Sequence, residues 1–179
     1  MNNVIKMINR TEAIYLDNDM WHLLDQDQYR YELSVSTQIE RPLDKLIIPF
    51  ELWITGHQFD SSTTLLNAFS LENTTDVHLL KPWLDKLKLI VLDFPKFTDG
   101  RAYSQAVELR RYLGWKGELR ANGDVLRDQL SHMQRCGFDS FAIRPDKNPN
   151  EALKGLSGIS VLYANSVVEP QPLFRRRTR

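Results

Sequence analysis

From Lys88 to Leu156 the chain repeats a single unit, and that repeat restricts the fold more than any other feature. KLIVLDF (88–94) is a continuous apolar run with a β-branched pair, the pattern of a strand buried on both faces. PKFTDG follows as a breaker-rich loop. Ala102, Ala106, Leu109 and Leu113 then recur at helical spacing, with Thr98 or Asp99 as the expected cap and Gly114 as the stop. GELRAN (117–122) reads as a second strand. Asp124 is expected to cap a second helix, in which Leu126, Leu130 and Met133 share a face and which ends at Gly137. FDSFAIR (138–144) alternates like a third strand, and Asn148-Pro149-Asn150-Glu151 is a helix start.

This alternation predicts an α/β fold: a mainly parallel sheet of about five strands joined by right-handed crossovers. An open sheet and a partial TIM-type barrel both fit. Upstream, 45–54 and 66–71 read as earlier strands and 76–87 as a helix interrupted by Pro82. Residues 1–40 are expected to form a small β-rich N-terminal appendage, 41–165 the α/β core domain, and 166–179 a flexible basic tail.

In parallel α/β sheets, ligands bind outside the carboxyl ends of the strands. Two charged joints fall at such ends. The first holds Asp93, Lys96, Asp99, Gly100 and Arg101; the second holds Arg120, Gly123 and Asp124, with Arg127 and Asp128 a turn further on. The third strand ends at Arg144. If these strands are neighbours, the groups converge on one rim. Arg120, Arg101, Arg127, Arg144 and Lys96 are then anion-binding candidates, since a guanidinium holds an oxyanion through paired hydrogen bonds. Asp93 and Asp124 are the acid–base candidates. The alternative is structural: Asp99, Gly100, Gly123 and Asp128 as cap and joint residues, with the Asp–Arg pairs bridging loops. Arg120 lies mid-strand between Leu119 and Ala121, where a long cation requires a carboxylate or a ligand.

Charge and motifs narrow the function classes. Lys+Arg and Asp+Glu balance at 23 each, and the basic residues of 93–144 are interleaved with acids, so nucleic-acid binding is not expected. One Cys supports neither a disulfide framework nor an iron–sulfur cluster. Cys136 is expected to be a buried thiol. His22, His57, His78 and His132 show no metal-ligand spacing, and no metal is expected. GxGxxG and P-loop motifs are missing, so no cofactor is expected. No apolar run reaches membrane-span length, and the N-terminus does not read as a signal peptide; the expectation is a soluble cytoplasmic protein without membrane contact.

FPKFTDGRAYS (94–104), GELRANGDVLRDQL (117–130) and RCGFD (135–139) occur in order at short spacing. Together they resemble an uncharacterised bacterial domain family of unknown function, encoded beside sulfite reductase and often named as an oxidoreductase involved in sulfite reduction. Asn122 departs from the small apolar residue the resemblance leads one to expect. The resemblance implies an accessory protein of assimilatory sulfite reduction, with the sulfite reductase haemoprotein or its electron donor as partner. A small enzyme or binder of an anionic metabolite, with an oxyanion on the Asp/Arg rim, is the alternative. Whether the chain is an enzyme stays open.

Overall fold

A computed structural model describes residues 3–16, 18–25, 27, 45–55, 67–156 and 163–176. The elements run β1 (Val4–Met7), β2 (Ala13–Leu16), β3 (His22–Leu23), β4 (Leu46–Pro49), α1 (Phe50–Thr55), β5 (Ala68–Leu71), β6 (Leu89–Phe94), α2 (Arg101–Arg111), β7 (Glu118–Gly123), α3 (Leu130–Cys136), β8 (Ser140–Ala142), α4 (Pro149–Leu153) and α5 (Leu173–Arg176). The strands form one 8-stranded sheet in the order β2-β1-β8-β7-β6-β5-β4-β3, curled into a half-barrel.

From β3 to β8 each strand lies parallel to the next one in the chain. That is the singly wound strand order of a partial barrel, and parallel connections of this kind are right-handed as a rule. The expected five-strand, mainly parallel sheet is corrected on two points. Among the described residues the sheet has eight strands, and it is mixed. β1 pairs antiparallel with both β8 and β2. The first residues therefore extend the sheet itself, because β1 satisfies the open edge of β8.

Two-sided burial explains why the strands read as unbroken apolar runs. On β6, Ile90, Leu92 and Phe94 face the helices and join Phe69, Leu119, Ala121 and Phe141 against Ala102, Ala106, Leu109, Leu130 and Met133. Leu89 and Val91 point the other way, into the half-barrel, where they meet Trp21, Ile47 and Ala68. Burying each large side chain of this set contributes about 1.5–3 kcal/mol.

Three local expectations change. The run at 45–54 is a strand only to Pro49; Phe50–Thr55 turns into α1, whose Phe50 is fully buried against Phe69 and Trp83. Residues 76–87 form a 3-10 turn at Val77–Leu80, capped by Asp76, and then hydrogen-bonded turns. Pro82 has no amide to continue a helix, and the backbone closes instead through Trp83 N–H to Leu80 O and Lys86 N–H to Trp83 O. The helix after β7 is not capped by Asp124. Its entry is a 3-10 turn, Arg127–Gln129, in which Gln129 Oε1 accepts the Leu126 amide at 3.0 Å. Its end is as expected, with Gly137 left-handed at φ 106°.

Candidate functional site

Strand register determines what the inside of the half-barrel presents. Val91, Arg120, Ser140 and Lys6 lie in one row across β6, β7, β8 and β1, and side chains two residues along each strand share that face. The row passes from apolar to charged at β7. Arg120 is 1% exposed there, the largest fully buried side chain among the described residues. Its Nη1 and Nη2 donate to the two oxygens of Asp19 at 2.6 and 3.2 Å, and Nη2 also donates to Glu118 Oε1 at 2.8 Å. Nε donates to Ser140 Oγ at 3.1 Å, and the Ser140 hydroxyl donates to Glu118 Oε1 at 2.7 Å. Lys6 closes the group on Glu118 Oε2. Burial alone would push the Glu118 carboxyl up, but the Arg120 charge, with Lys6 and Ser140, holds it below the ordinary carboxylate range.

The C-terminal rim lies above this network. Asp93 and Asn122 are register partners at the ends of β6 and β7, one inward-facing step beyond Val91 and Arg120. Asp93 is half-buried, and Asn122 Nδ2 donates to its Oδ1 at 3.5 Å. Burial raises its pKa, the Asn122 bond opposes this only partly, and the Glu72 charge adds to it. A carboxyl held this way can keep or take up a proton more readily than a solvated one.

Four other rim charges, Asp99, Arg101, Asp124 and Arg144, are paired within the chain. Arg101 Nε and Nη2 donate to the two oxygens of Asp99 at 3.0 and 2.6 Å, and Asn73 Nδ2 donates to Asp99 Oδ2 at 2.8 Å. The Arg101 bonds bring the Asp99 pKa down to about 2. Asp99 also accepts the Arg101 amide, at the start of α2, while Gly100 occupies the cap position itself. Asp124 binds the Phe97 amide at 2.8 Å and Arg144 Nη1 at 2.9 Å, tying three loops together. Arg144 in turn grips Asp146 with Nε and Nη2 at 2.6 and 2.8 Å. Gly123 sits at φ 95°, and a Cβ there would lie 2.4 Å from Phe94 O and 2.8 Å from Asp93 Oδ1. Only glycine permits that close approach.

Asp93, Asp124 and Arg144 thus stand at strand ends, whereas Arg120 lies deeper, on the inner face. Lys96, Arg127 and Asp128 are exposed. Cys136 is buried, which pushes its thiol up, and its Sγ is 3.8 Å from His132 Nε2. Tyr103 is half-buried against Phe94. His57 lies outside the described residues. Among the described residues no group of three or more His, Cys, Asp or Glu could hold a metal ion, and no helix is long and apolar enough to cross a membrane.

Two charge groups leave little trace in the sequence. Asp19 and Lys6 are 101 and 112 positions from their partners, and only sheet closure brings them in. Glu118 could have been found, since it is two residues before Arg120 on the same strand face. The second group is Arg110. It donates to the carbonyls of Gly137, Trp115 and Gly117, each at 2.9 Å, and to Asp139, which also accepts the Leu119 amide. It pins α2 to the opposite ends of β7 and β8.

Fold and site define an α/β half-barrel protein with a self-paired charge network on its inner face and a rim where Asp99 and Asp124 bind partners from neighbouring loops. Residues 68–174, from β5 to α5, match the model of a family described as a bacterial protein of unknown function (DUF934), and the chain belongs to that family. No curated protein and no solved structure matches it.

Proposed function

We propose that this protein is an accessory factor of assimilatory sulfite reduction that acts by contact with the sulfite reductase haemoprotein or its electron donor. The pathway part of the reading comes from the resemblance of 94–139. The mode of action is supported by one observation: Arg101, Arg120 and Arg144 each hold a carboxylate of their own chain, Asp99, Asp19 with Glu118, and Asp124 with Asp146. An oxyanion binding at these three arginines would have to displace carboxylate partners already in place, so they favour architecture over ligand capture.

The experiment is growth of a deletion strain in its native host on sulfate as sole sulfur source, with cysteine as control, together with binding of the purified chain to purified sulfite reductase components. Slowed growth on sulfate, rescued by cysteine, and saturable binding are the expected results. Normal growth on sulfate removes the pathway; no binding to either component removes the accessory role.

The raised pKa of Asp93 favours a second reading, a small enzyme or binder of an anionic metabolite with Asp93 as proton carrier. In that case Asp93→Asn abolishes the function in the growth assay while the protein stays folded. Full complementation by Asp93→Asn removes this reading.

A further inference from the structure

We propose that Tyr163, Phe174 and Arg175 form a docking surface for a protein partner whose own surface is acidic. This deepens the interaction reading above by giving it a contact face, and it does not depend on the sulfur pathway.

The face is built by a short return of the chain. Leu173 N–H donates to Tyr163 O at 3.0 Å, and Ser166 N–H donates to Glu169 O at 2.8 Å. Val167 N–H donates to Arg135 O at 2.9 Å, so this return is fastened to α3. The closure brings the Tyr163 and Phe174 rings to 6.0 Å between centroids. Both rings remain open to solvent, at 68% and 54% exposure. The Arg175 guanidinium lies 5.8 Å from the Phe174 ring. A single exposed aromatic residue is ordinary. Two rings held together with a guanidinium alongside have the composition that dominates binding energy at protein interfaces.

The charge around the rings chooses the partner. Glu169 is the one acid between 163 and 179, and it is bound by Arg176 at 3.2 Å and Arg10 at 3.7 Å. The same stretch carries four arginines, Arg175, Arg176, Arg177 and Arg179, for a net +3 in a chain whose total is zero. The rest of the sequence is therefore net −3, and the described Arg175 and Arg176 sit beside the two rings in the most basic stretch of the chain's C-terminal part. That steers encounter with an acidic surface. Nucleic acid fits less well. Binding it depends on neutralising many phosphates, and a chain of zero net charge with two rings leaning on one another offers few phosphate contacts and no free stacking platform.

The test uses the full chain and a fluorescein-labelled peptide of alternating Glu and Leu, read by anisotropy. Saturable binding is expected, weakening as salt is raised. Phe174→Ser, Tyr163→Ser and Arg175→Glu should each weaken it about tenfold, the loss expected of a central interface residue. These side chains are exposed, so the variants should keep the wild-type urea midpoint. Tyr112→Ser, at the far end of α2 and 75% exposed, should bind like the wild type. The proposal is overturned if the three variants bind as the wild type does, or if Tyr112→Ser weakens binding equally. It is also overturned if the wild type prefers a single-stranded oligonucleotide or vesicles of anionic phospholipid to the peptide. If peptide binding fails while the sulfite reductase contact persists, the patch is lost and the interaction reading stays; the reverse result removes the pathway and keeps the patch.

Discussion

Replacing Arg120 with Met removes the guanidinium from the inner face while keeping most of the side-chain length. Arg120 is 1% exposed and its partners Asp19 and Glu118 are 4% and 14% exposed. The change therefore leaves two sequestered carboxylates without the charge that compensated them. Breaking a buried pair in this way costs about 3–5 kcal/mol. For a chain of this length that corresponds to a Tm lower by roughly 6–20 °C, at about 2–4 °C per kcal/mol. The pH dependence has a definite sign. The Glu118 pKa is lowered in the folded protein, so its contribution to stability is present above the ordinary value of 4.5 and is lost as pH falls through the folded value. In Arg120→Met that contribution is gone, so the gap between variant and wild type is full at pH 7 and narrows below pH 4.5. Adding Asp19→Asn to Arg120→Met removes one of the stranded charges and should restore about 1–3 kcal/mol. Urea unfolding followed by the fluorescence of the four Trp residues measures all of this. A loss under about 1 kcal/mol, the range of solvent-exposed ion pairs, would refute the argument, as would a penalty that does not change with pH.

Three further outcomes are expected. Asp93→Asn should raise the urea midpoint at pH 7, because burial raises the pKa of Asp93 and its ionised form is penalised in the folded state; the gain should vanish below pH 3.8, where the carboxyl is neutral folded and unfolded alike. Gly123→Ala should cost about 2 kcal/mol or more, since φ 95° and a 2.4 Å approach to Phe94 O must both be relieved, and a midpoint within error of the wild type would contradict the contact. Leu109→Ala, at a fully buried position between α2 and the sheet, should lower stability by about 2–5 kcal/mol with an unchanged urea slope.

The βα repeat was readable because its signals are local. Ala102, Ala106 and Leu109 do form the buried face of α2, Gly137 does adopt the left-handed end of α3, and Asn148 does cap α4. Phe50–Thr55 was not readable as a helix. It continues an apolar run, and apolar residues alone do not distinguish a buried strand from a short helix packed on one. Asp124 shows a different failure. An Asp before a helix is a good cap in isolation, but here the Phe97 amide and Arg144 compete for it and win. Of the rim candidates, Asp93, Asp124 and Arg144 stand at strand ends and Arg120 lies deeper; the pairs Arg101–Asp99 and Arg144–Asp146 are local, whereas Asn73–Asp99 and Arg144–Asp124 join loops brought together only by the sheet.

By itself the sequence determined the alternation of strand and helix from Lys88 onward, the placing of charged joints at strand ends, and the need of Arg120 for a partner. Those follow from spacing over a few residues and from the cost of burying a bare cation. Only the tertiary structure decided that the sheet curls, that β1 closes the edge of β8, that Asp19 answers Arg120 and that Lys6 answers Glu118. Contacts across a hundred residues are chosen by strand register and chain closure, and neither leaves a local trace in the order of amino acids.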